Sequence, residues 1–69
     1  MNKIEKQERK QFNVYVPEFC LYFADKYNSL LAAITAAQNT GKQCFIYKGE
    51  ILLAIVEKDN NPVYLVKKI

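Results

Sequence analysis

Leu30, Ala33, Ile34 and Ala37 recur at the i, i+3, i+4, i+7 spacing that lays one apolar stripe along a helix, with Tyr27 one turn earlier and Leu31 beside them. The pattern predicts a helix between an N-cap at Asp25 and a stop at Asn39-Thr40-Gly41. A carboxylate can accept from the free N–H groups of a first turn, and glycine takes the left-handed conformation that closes a last one. Asn28 and Ser29 are alternative caps. Ala32, Ala33, Ala36 and Ala37 favour the helix and leave it a thin surface that a sheet can approach closely.

Outside this stretch the period falls to two. Phe12, Val14 and Val16 point one way and Asn13 and Tyr15 the other, which predicts a short strand ended by a turn at Pro17-Glu18. Residues 19–23 read two ways. Their Phe, Cys, Leu, Tyr and Phe suit a second strand, whereas Phe19, Tyr22, Phe23, Tyr27 and Leu30 also fit a helical stripe opened by Pro17. We take the strand, because Asp25 then caps the helix; the alternative is one long helix from Pro17 to Gln38. After Gly41 the pattern predicts strands at Gln43 to Tyr47, Glu50 to Glu57 and Pro62 to Lys67, joined by a tight turn at Lys48-Gly49 and a polar turn at Lys58 to Asn61. The expected fold is α+β: an antiparallel sheet of about five short strands, ending in a three-stranded meander, packed on one central helix.

A two-residue turn at Lys48-Gly49 opposes Tyr47 to Glu50, Ile46 to Ile51, Phe45 to Leu52 and Cys44 to Leu53. Cys44, Ile46, Ile51, Leu53 and Ile55 then form the face assigned to the helix. Phe45, Tyr47, Leu52, Ala54 and Val56 form the other, and a three-residue turn after Lys58 adds Tyr64 and Val66. An antiparallel sheet with one covered face usually keeps the other polar. This one is apolar, and each large side chain left in water forgoes about 1.5–3 kcal/mol of burial. A cover is therefore expected: the strands before the helix curling over, a second copy of the chain, or another macromolecule.

Composition narrows what that cover serves. With 69 residues, 51% of them hydrophobic and 25% charged, the chain reads as one globular domain over residues 12–69, preceded by a charged, solvated and flexible arm over residues 1–11. No apolar run is long enough to span a membrane and the first residues are charged, so the expectation is a cytoplasmic protein. Cys20 and Cys44 lie in apolar surroundings without metal-ligand spacing, so both are expected to be reduced core thiols, with a disulfide between them as the alternative. Histidine is absent and only Gly41 and Gly49 are present, which leaves no common general base and no glycine-rich phosphate loop. Neither catalysis nor a cofactor nor a metal is expected.

Two classes of partner remain. A protein partner, or a second copy in a homodimer, asks only for the apolar face, with Phe45, Tyr47, Lys48, Leu52, Tyr64 and Val66 as the contact residues. Single-stranded nucleic acid is the alternative, with Phe45 and Tyr47 stacking bases while Lys48, Lys67 and Lys68 hold phosphates. The net charge of +3 supports it weakly, Glu50 sits beside the aromatics, and the one arginine, Arg9, lies outside the sheet. The order of helix, glycine and Pro-Val-Tyr-Leu-Val from Ala32 to Val66 resembles PepSY domains, which implies a role in peptidase inhibition. Abundant Lys, Asn, Tyr and Ile with a single Arg is the bias of AT-rich genomes such as those of some phages, so the expected role is that of a phage or mobile-element accessory protein that modulates or inhibits a host protein.

Overall fold

Strand alternation sets the core. In the computed structural model, which describes residues 11–65, strand β1 (Phe12–Val16) turns Phe12, Val14 and Val16 inward and leaves Asn13 and Tyr15 half-buried on the opposite side. A 3-10 turn (Pro17–Phe19) and a left-handed corner at Cys20 return the chain to strand β2 (Leu21–Tyr22). Helix α1 (Leu30–Gln38) follows, and then β3 (Cys44–Lys48), β4 (Ile51–Val56) and β5 (Pro62–Tyr64). The five strands form one antiparallel sheet in the order β2-β1-β3-β4-β5, with α1 on one face. This is the small α+β fold that the hydrophobic pattern predicts. The expected N-terminal arm falls almost wholly outside the described residues, as do the last residues of the expected third meander strand.

The helix is shorter than expected and differently capped. Ser29, not Asp25, is the N-cap: its Oγ accepts from the Ala32 N–H at 3.1 Å. The reason is competition from β1. Phe23 N–H donates to the Val14 carbonyl at 2.8 Å, and Tyr27 and Phe12 exchange backbone bonds of 2.8 and 3.1 Å, so residues on both sides of Asp25 follow the edge of β1 in extended form. A helix cannot begin until that pairing ends. These same bonds exclude the long helix from Pro17 and keep residues 21–22 as a strand, though a narrower one than residues 19–23. At the far end Thr40 N–H bonds the Ala37 carbonyl at 3.0 Å, and Gly41, at φ +71°, turns the chain toward β3.

The register between β3 and β4 departs from expectation in two steps. The turn is Gly49-Glu50, one residue later than Lys48-Gly49, with Lys48 opposite Ile51 and Tyr47 opposite Leu52. Gly49 holds φ +63° at the first turn position, where glycine suits the tight turns whose twist matches that of the strands. A β-bulge follows: Ile46 opposes Ala54, so Leu53 is an extra residue. The delayed turn moves each partner by two and preserves the faces; the bulge reverses them. Ala54 and Val56, expected on the open face, are instead buried against the helix, and Ile55, expected beneath the helix, lies on the open face opposite Phe45.

The core is the contact of Ala33, Ile34 and Ala37 with Val14, Ile46, Ala54 and Val56. Methyl-sized residues on α1 let the backbone of the helix come close to the middle of the sheet, where β1, β3 and β4 lie side by side. Cys44 belongs to this core, its Sγ 3.4 Å from Thr40 Oγ1. Cys20 does not: it is exposed, which corrects the expectation of two core thiols, and both cysteines are free.

Two comparisons check these assignments by urea unfolding. Ser29→Ala should cost about 1 kcal/mol, whereas Asp25→Ala should stay within about 0.5 kcal/mol. Val56→Ala should cost about 2 kcal/mol, through lost burial and a residual cavity, and Ile55→Ala less than half as much. Equal costs at residues 55 and 56 would contradict the bulge.

Candidate functional site: the open sheet face

Residues paired across neighbouring strands share a face, so the register alone places the open side. One row crosses all five strands: Tyr22, Tyr15, Phe45, Ile55 and Val63. A shorter row beside it holds Asn13, Tyr47 and Leu52. Neither row contains a charged side chain.

The aromatic rings cover one another. Tyr15 and Tyr22 have ring centroids 4.7 Å apart, Tyr15 and Phe45 6.2 Å, and Tyr22 and Tyr47 6.2 Å, all in tilted arrangements. Asn13 is the short residue between Tyr22 and Tyr47 in the pairing pattern, and its size leaves room for the two rings to meet across it. Each such pair is worth about 0.5–1.5 kcal/mol beyond simple burial. Tyr15, Phe45, Tyr47, Leu52 and Ile55 are consequently half-buried, while Tyr22 and Val63, at the two edge strands, are 54% and 45% exposed. The strands before the helix do not curl over the face. They extend it, adding two tyrosines to it.

Of the six residues expected to make the contact, Phe45, Tyr47 and Leu52 come together here. Lys48 does not: it pairs with buried Phe12 on the helix side, its Nζ 5.7 Å from the Phe12 ring centroid. Tyr64 opposes Ala54 and so also belongs to the helix side, half-exposed at the sheet edge. Val66 lies outside the described residues. Tyr15, Tyr22, Ile55 and Val63 are additional members that sequence reasoning missed. The alternation Asn13/Tyr15 was visible, but nothing local says that β1 lies beside β3.

Charged groups of both signs stand at each end of the face. Where β3 turns into β4, shallow clefts are lined by Asn13, Tyr22, Lys26 and Gly49, with Lys48 in the adjoining one, and the same end carries Asp25 beside Lys26 and Glu50 in the turn. At the opposite end Gln43, Glu57, Lys58 and Asp59 line a third cleft, where Gln43 Nε2 donates to Glu57 Oε1 at 3.1 Å. Beside the face, the neighbouring Cys20 sulfur, followed by desolvation and the nearby Tyr22 and Tyr47, raises the Tyr15 phenol above its ordinary 10.0. Among the described residues no three His, Cys, Asp or Glu side chains are grouped as metal ligands would be, and no helix is long and apolar enough to cross a membrane.

No protein-family model, no curated protein and no solved structure matches the chain. The face must be read from its own chemistry.

The Tyr15 environment can be checked directly. The difference in phenolate absorbance between the native chain and Tyr15→Phe isolates one titration, whose midpoint should lie above pH 10.0. Cys20→Ala should lower it, because the thiol is the leading cause of the shift. An unchanged midpoint would place Tyr15 away from the thiol.

Proposed function

We propose that this chain is a small non-enzymatic protein-binding module, acting in the cytoplasm as an accessory protein that modulates or inhibits its target through the open sheet face. The observation that carries the reading is the pair of uncharged rows crossing the sheet, with an aromatic cluster at their centre. Tyr and Phe supply large contact area at low entropic cost, and depletion of charge is the compositional mark of an interface core. Mutual ring packing also holds these side chains in place before any partner arrives, which lowers the ordering cost of association.

Nucleic acid is the second reading, and the placement of charge argues against it. Phosphates flanking bases stacked on Tyr15 or Phe45 would need cations along the face. Lys48 is turned to the helix side, and Glu57 and Asp59 occupy one end of the strands.

Photo-cross-linking separates the two. With benzoylphenylalanine in place of Phe45, expressed in the native host, the expected result is a discrete, protease-sensitive adduct that is missing when the label replaces Leu31, which is exposed on the far side of α1. A nuclease-sensitive adduct, or none, would overturn the proposal. Affinity for a labelled single-stranded oligonucleotide should be negligible at low salt as well as at raised salt.

A further inference from the structure

We infer that residues 17–28 are a detachable strap along the outer edge of β1, which opens and closes as one unit while the rest of the fold stays in place. The segment leaves β1 at Pro17 and ends where Ser29 caps α1. None of its residues is buried. The buried core comes from β1, α1, β3 and β4, and Phe23 and Tyr27 pack against it while partly exposed. The other side-chain attachments lie at the surface. Tyr22 rests on Tyr15 with ring centroids 4.7 Å apart, Glu18 faces Lys42 Nζ at 3.6 Å, and the same ammonium stands 5.5 Å from the centroid of the Phe19 ring. Phe19, Leu21 and Tyr22 are each more than half exposed, and ion pairs and cation–π contacts in such positions contribute little.

The backbone supplies the remaining hold. Beyond the paired residues Leu21 and Tyr22, Phe23 N–H donates to the Val14 carbonyl at 2.8 Å, and Phe12 and Tyr27 exchange bonds of 3.1 and 2.8 Å. Successive backbone groups of a strand point to opposite neighbours. Phe12 and Val14 therefore face the strap, while Asn13 and Tyr15, opposite Tyr47 and Phe45, carry the hydrogen bonds to β3. Lifting the strap breaks the first set and spares the second, so β1 stays in the sheet as its new edge. Segments with few buried contacts and solvent-facing backbone bonds are the ones that open at a lower free energy than the whole domain.

The opening reaches the open face, because the strap carries Tyr22. Once it lifts, Tyr22 leaves Tyr15 and Tyr47, and the aromatic cluster loses its edge member. On the protein-contact reading above, a target that touches Tyr22 binds the closed form alone and holds the strap shut by mass action. The opening itself belongs to the free chain and stands without that reading.

Native-state hydrogen exchange on the purified chain, followed amide by amide by NMR in low concentrations of urea, tests the strap. The Phe12, Phe23 and Tyr27 amides should share one opening, with protection at least about tenfold below that of Asn13 and Tyr15 and a urea dependence that is smaller than that of global unfolding but not zero. Ile34→Val weakens the core that the lifted form keeps. It should lower the protection of Asn13 and Tyr15 about fivefold and leave that of Phe12, Phe23 and Tyr27 unchanged. Phe23→Ala weakens a contact made in the closed form alone, so it should lower both sets by the same factor, about tenfold. Strap amides as well protected as Asn13 and Tyr15, or falling with them in Ile34→Val, would overturn the inference. So would exchange without any urea dependence, the mark of single amides fraying independently. No partner is present in this experiment, so its failure leaves the protein-contact reading to the Phe45 cross-link.

Discussion

Everything in this fold depends on how closely one short helix can approach the centre of a five-stranded sheet. Ala33 and Ala37 present almost no side chain, so Ile34 can settle among Val14, Ile46 and Val56 with the helix backbone near the strands. A chain of 69 residues buries a smaller share of its surface than a larger domain and has little stability to spare. A nine-residue helix is also marginal alone. Helix and sheet are each stable only because the other covers one apolar side.

That economy has a geometric consequence. One helix covers one face, and β1 does not fold across the other but is held between β2 and β3. The backbone bonds that hold it there recruit residues 21–27 as its edge partner, postpone the helix to Ser29, and bring Tyr15 and Tyr22 alongside Phe45 and Tyr47. The same pairing that completes the sheet assembles the aromatic cluster on its open side. The bulge at Leu53 acts in concert, placing two consecutive residues, Leu53 and Ala54, in the core and lifting Ile55 out to join the rings.

The open face that results is neither a core nor an ordinary wet surface. Its rings shelter one another at centroid separations of 4.7–6.2 Å, which reduces the penalty of solvent contact without removing it. Among the described residues its charged groups are confined to the ends. On the reading proposed above, an apolar, preorganised centre with charge at its margins meets another protein surface rather than the regular negative charge of a nucleic-acid backbone.

The one-dimensional pattern by itself determined the class of fold, the alternation of β1, the presence and stop of the helix, its buried stripe and the meander that ends the chain, because each follows from interactions among residues a few positions apart. It also determined that Phe45, Tyr47 and Leu52 share a side: a turn one residue late shifts partners by two and leaves faces unchanged. Only the tertiary structure decided that Ser29 caps the helix, that Lys48 and Tyr64 turn toward it, that Ala54 and Val56 are core, and that Tyr15 and Tyr22 complete the cluster. Those outcomes depend on which strand lies beside which and on a single inserted residue. With a side-chain period of two, one bulge reverses every residue beyond it, and no local preference reports that it is there.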